Sequence, residues 1–176
     1  MTNDPFRYPL GRFHPPEAIS ESKRSDCINQ IAGLPAELRT AVADLDDQQL
    51  ATPYRPGGWT VRQVVHHLAD SHLNSYTRFR LALTEENPVV KPYDESAWAE
   101  LADARTAPIE FSLSLLDCLH GRWILLLRSL SERDFERTLQ HPENGQRSLA
   151  WYVALYAWHG KHHVAQITEL RSRQDW

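Results

Sequence analysis

The chain has 176 residues, 19 Lys and Arg against 23 Asp and Glu, a net charge of −4 and 41% hydrophobic residues including six Trp. That length and apolar content suit one domain, or one domain plus an arm, and exclude disordered and fibrous classes. The acidic balance, with no basic stripe, no apolar run of the roughly 20 residues a membrane span requires and no signal pattern in MTNDPFRYPL, predicts no nucleic-acid partner, no membrane and a cytoplasmic location.

Residues 1–19 carry Pro5, Pro9, Pro15 and Pro16 and read as an extended N-terminal arm lying over the domain surface; residues 20–176 form the domain. From Ser20, Ile28, Ile31, Leu38, Val42 and Leu45 recur at helical intervals, with Leu34 and Pro35 predicting a break or a fresh first turn in a kinked first helix. Pro53, Pro56, Gly57 and Gly58 make a connection. A second helix follows to about Leu83, opened by a Thr60/Gln63 capping box. Three prolines flank Asp94 to Ala104, read as one small helix inside a long crossover. Ile109 to Leu130 is apolar on more than one side, as in a buried third helix. His141, Pro142, Asn144 and Gly145 suggest a small hairpin, and Ser148 caps a final helix from Leu149 to about Arg173. The expected fold is all-α, a four-helix bundle with the arm and long crossover appended. Cys27 and Cys118, with no CxxC spacing, are expected to be reduced core-filling thiols.

Histidine is the unusual component: of nine, six sit in two groups, His66, His67 and His72, then His159, His162 and His163. On the last helix, Leu149, Tyr152, Tyr156, His159, His163, Ile167 and Leu170 fall on one stripe. Positions four apart place Cβ atoms about 6 Å apart, close enough for two imidazoles to reach one ion at roughly 2.0–2.1 Å. Two partly buried, hydrogen-bonded histidines would give the same spacing, so a third inward histidine decides the matter. On the second helix the wheel puts His72 at the centre of the apolar stripe and His67 on its flank. It favours His72 without excluding His67, because a flank position can face the last helix directly.

WTVRQVVHHLADSH from Trp59 to His72, HGRW from His120 to Trp123 and WHGKHHVAQI from Trp158 to Ile167 together resemble the DinB-like metal-binding superfamily, most closely its YfiT branch of metal-dependent hydrolases. The resemblance covers nearly the whole chain. It implies a four-helix bundle whose metal is held by a histidine just before a leucine on the second helix and two histidines four apart on the last, here His67, His159 and His163. His72 then becomes a pocket or core residue.

Three neutral imidazoles would leave a divalent ion, zinc as first choice and nickel next, with an open position for water or a thiol. No catalytic residue is assigned: the residue after His159 is Gly160, so the glutamate of His-Glu-x-x-His is absent and peptidase activity is disfavoured. Asp70, Gln166, Glu169 and His120 are candidates for supporting or acid–base roles, and Trp59, Trp123, Tyr152, Tyr156 and Trp158 for pocket walls. The expected activity is hydrolysis of a small molecule. The alternatives are S-transfer of a low-molecular-weight thiol such as bacillithiol, which DinB-like relatives suggest, and a non-catalytic metal-binding bundle. The extra segments, and the resemblance, also imply a homodimer burying Phe6, Tyr8, Leu10 and Phe13.

Overall fold

A computed structural model describes residues 4–16 and 18–176; residues 1–3 and 17 of the expected arm lie outside the described residues. Four long helices dominate: α1 (Glu21–Val42), α3 (Val61–Thr84), α6 (Glu110–Ser129) and α8 (Leu149–Gln174). Between them lie the short helices α2 (Asp47–Leu50), α4 (Glu95–Ala99), α5 (Ala102–Thr106) and α7 (Glu132–Glu136), and the antiparallel hairpin β1 (Thr138–His141)/β2 (Gly145–Ser148).

Local signals position the long helices. Thr60 Oγ1 accepts from the Gln63 amide while Gln63 Oε1 accepts from the Thr60 amide, so the predicted capping box opens α3, and Ser148 caps α8. Just before α3, Gly57 takes φ +67°, and Tyr54 N–H donates to the Trp59 carbonyl, closing a tight loop that lays Trp59 over the start of the helix. Two expectations change. The 94–104 segment forms two helices, because the backbone at Leu101 is extended and interrupts it. Pro35 neither breaks α1 nor restarts it; the helix runs through and ends at Val42.

The bundle is not a simple up-and-down ring. α1 packs against α8 and α6, and α3 packs against the same two, so α1 and α3, the first two long helices, sit diagonally. α3 therefore presents one face to α6 and another to α8. The core divides into two apolar clusters. One holds Ile31, Tyr76, Phe79, Trp123, Tyr152 and Tyr156, and the other holds Leu34, Leu68, Leu116 and Ile167. On the three long helices that carry histidine, the change from one cluster to the other falls near the histidine level: His72 lies between Leu68 and Tyr76, His120 follows Leu119 just beyond Leu116, and His159 and His163 lie between Tyr156 and Ile167; on α1 it falls between Ile31 and Leu34.

Of the two free cysteines, Cys27 is buried as expected, whereas Cys118 lies on the exposed face of α6. Among the described residues no helix is long and apolar enough to cross a membrane. The arm runs along α8: Phe13 packs on Trp151 and Trp158, at 5.4 and 5.7 Å between ring centroids, and Tyr8 lies 5.7 Å from His162.

Candidate metal centre

His67 from α3 and His159 and His163 from α8 converge, with ligand nitrogens all within 4.8 Å of one another. His67 Nε2 and His159 Nε2 stand 3.3 Å apart, the spacing that tetrahedral ligation at about 2.05 Å imposes on two nitrogens, about 3.3 Å. Two imidazole nitrogens so close cannot both present bare lone pairs unless a proton or a cation lies between them.

The rings are held in the uncharged form a metal requires. Burial pushes His67 down to about 4, and burial followed by the neighbouring histidines holds His159 and His163 well below the ordinary imidazole value. The orientation of His163 is enforced. His163 Nδ1 donates to Gln166 Oε1 at 2.9 Å, and Gln166 Nε2 donates to the Arg7 carbonyl at 2.9 Å, which ties the arm to the site. The donor set of three neutral imidazole nitrogens with no carboxylate fits a borderline cation such as Zn2+.

The other candidates separate clearly. His72 is completely buried and bonds His159 Nδ1 rather than joining the three, and His120 reaches the site only through His72. The helical wheel thus located His72's burial correctly, while the converging histidine comes from the flank that α3 turns toward α8. His66 and His162 are buried too. His66 bonds Ser112 Oγ and the Ala107 carbonyl, and His162 stacks on Trp158 at 4.6 Å and 14°. Asp70 lines a separate small pocket with His66 and Asp103, and Glu169 is exposed. Trp59 lies 4.7 Å from His67, Tyr156 5.5 Å from His159, and Trp158 lines the cleft, whereas Trp123 and Tyr152 are core.

The histidines floor a cleft of about 370 Å³ whose walls include Tyr8, Trp59 and Trp158, with Arg7, Arg55 and Glu95 contributing charge. Glu95, from the first helix of the crossover, is the acidic residue of this lining; the residue is exposed, and partial desolvation by the surrounding protein raises its carboxyl above the usual range. No local pattern marks it, since its place in the cleft depends on how the crossover folds back. Gly160 opens no space for a ligand: a Cβ there would meet the side chain of Leu34.

The DinB superfamily model matches residues 30–167. Proteins of Bacillus cereus strain B4264 and of Oceanobacillus iheyensis, each named "putative metal-dependent hydrolase", are 56% identical over 97% of this chain and 98% of their own lengths. The solved structure of YfiT from Bacillus subtilis, described as "a probable metal-dependent hydrolase with an unusual four-helix bundle topology", superposes with a TM-score of 0.95 at 51% identity, covering 98% of this chain and 99% of that one. A four-helix bundle protein at 19% identity and a TM-score of 0.55 shares the fold.

Proposed function

Starting from the fact that this chain belongs to the DinB superfamily, we propose that it is a metal-dependent hydrolase of a small molecule, with His67, His159 and His163 holding one divalent ion. The observation that carries this reading is the convergence of three neutral imidazoles at the floor of the cleft. When bound, such an ion supplies Lewis acidity and lowers the pKa of a water or thiol at its open position. Zn2+ is the first choice and Ni2+ the second, because imidazole suits both.

The chain's own groups would do the rest. Trp59 covers one side of His67 and limits water at the floor, Arg7 and Arg55 favour a polar substrate carrying negative charge, and Glu95 is placed to accept or return a proton. Residues 1–19 serve as an arm on a metal-binding domain of residues 20–176, a division supported by the family model's start at residue 30 and by the arm's contacts along α8. The assembly proposed is a homodimer.

Metal analysis of untagged protein, joined to ester and amide hydrolysis and to a thiol-plus-electrophile assay, tests the reading. About one ion per chain and hydrolysis that His163→Ala abolishes are expected. A thiol adduct without hydrolysis would move the assignment to S-transfer, bound metal with no turnover would leave a non-catalytic bundle, and no bound ion would overturn the metal centre.

A further inference from the structure

A backbone carbonyl can only accept a hydrogen bond, and one carbonyl in α1 lacks its ordinary donor. Residue 35, four positions after Ile31, is proline and has no N–H to close that turn of the helix. The Ile31 carbonyl instead lies 2.7 Å from His120 Nδ1. His120 must therefore carry its proton on Nδ1, and a neutral ring protonated there has a bare Nε2.

That bare Nε2 stands 3.0 Å from His72 Nδ1, which must donate to it, in rings whose planes are 17° from parallel. His72 Nε2 is left bare in turn, 3.3 Å from His159 Nδ1, so His159 also donates from Nδ1. The series ends with His159 Nε2 unprotonated and aimed at His67 Nε2. His72 is fully buried, His120 is 2% exposed, and neither has a carboxylate among its hydrogen-bond partners, so both stay uncharged. In a neutral series anchored on a carbonyl, the donors can point in one direction only.

We infer that His120 and His72 are positioning residues: with the Ile31 carbonyl they form a fixed-polarity relay that sets the tautomer of His159, presenting its Nε2 as a ready ligand atom from two rings away. A shorter series does the same for His163, because the Arg7 carbonyl accepts from Gln166 Nε2, which aims Gln166 Oε1 at His163 Nδ1. Both ligand candidates on α8 are thus governed by backbone carbonyls of the N-terminal part of the chain. Pro35 acquires a role in this arrangement, since it frees the carbonyl on which the longer series rests. The relay's existence stands on hydrogen-bond geometry; its purpose rests on the metal-centre reading.

Long-range proton–nitrogen NMR on metal-free, 15N-histidine-labelled protein reads the tautomers directly. Protons on Nδ1 are expected at His120, His72, His159 and His163, and an Nε2 proton at His72 or His159 in the wild type overturns the relay. His120→Leu removes the anchor and frees His72 to donate through Nε2, so an Nε2-protonated fraction should appear at His159 and Zn2+ affinity should fall about ten-fold. His120→Gln keeps a donor for Ile31 and an acceptor for His72, and should restore both tautomer and affinity. An unchanged His159 tautomer in His120→Leu, or losses that His120→Gln does not rescue, would overturn the inference. If the wild type shows the expected tautomers but binds no Zn2+, the metal-centre reading fails and the relay remains.

Discussion

Gly160 lies so close to Leu34 that a Cβ built on it would stand 2.6 Å from Leu34 Cδ2 and 3.2 Å from Cγ. α1 and α8 thus touch closely one residue from His159. Gly160→Ala adds about 1 kcal/mol of helix propensity but forces Leu34, 2% exposed in the core, to shift or α8 to move outward, an overpacking cost of roughly 1–3 kcal/mol. A net loss of about 1 kcal/mol in urea denaturation is expected, with weaker metal binding because α8 carries two of the three histidines. A variant more stable than wild type would show that Leu34 yields freely.

His67→Ala and His163→Ala should each cost more metal affinity than the roughly ten- to hundred-fold expected when a ligand's outer hydrogen-bond partner is lost. His72→Phe should fall within that range, since His72 touches His159 without joining the three. An ion that binds only the native state stabilises it, by about 2.7 kcal/mol at a hundred times its dissociation constant. Zn2+ should therefore raise the melting temperature of the wild type and leave that of His67→Ala nearly unchanged. The reverse pattern, with His72→Phe losing stoichiometric metal and His67→Ala keeping it, would return the site to the helical wheel's choice.

The difference between His67 and His72 also marks the limit of what the sequence could tell. Capping at Thr60 and Ser148 was legible because it depends on neighbours three residues away, and His159 and His163 were legible because one helix fixes their spacing. The choice on α3 was not legible from periodicity, and His67 was picked out only by the motif resemblance. A wheel gives an angle, and α3 faces α6 and α8 at once, so the centre of its stripe bridges His120 and His159 while its flank supplies His67. Pro35 read as a break because its missing donor is a local fact, whereas the replacement donor, His120, is 89 positions from the Ile31 carbonyl it serves. Glu95 and the packing of Phe13 on Trp151 and Trp158 likewise depend on long-range folding of the crossover and the arm.

Asp70 makes stability depend on pH with a sign that is easy to test. Burial first, and Asp103 second, push its carboxyl up to about 6. A carboxyl raised in the folded state favours the proton there. Its contribution is fully present below the unfolded value of about 3.9 and is lost as pH rises through 6. Asp70→Asn should therefore be more stable than wild type at pH 8 by about 1 kcal/mol, after discounting for the solvent that reaches this half-buried side chain, and equal to it near pH 4. Urea titrations at pH 4, 6 and 8 measure the difference; equal stability at all three would mean that the carboxylate is better solvated than its surroundings indicate.

The homodimer can be tested on the arm itself. The four apolar residues expected to form one exposed patch do not share one fate: Phe13 packs on Trp151 and Trp158 and Tyr8 lies beside His162, while Phe6 is 44% and Leu10 51% exposed. Arg173 of α8 also lies over the Phe6 ring at 4.3 Å, so the chain's own last helix meets three of the four. A second apolar stripe lies on α6, where Phe111, Leu115 and Leu125 share one helical face and are 70%, 41% and 74% exposed. Light scattering at micromolar concentration should give twice the 20.3 kDa of one chain. If Phe6 and Leu10 make the contact, removing residues 1–19 should yield monomer; a dimer that survives this truncation but dissociates with Phe111→Glu would place the two-fold contact on α6. The truncation should lower metal affinity in either case, because it removes the Arg7 carbonyl that orients Gln166 and, through it, His163. A monomeric mass for the full-length chain would refute the dimer and leave the arm as a cover over its own site.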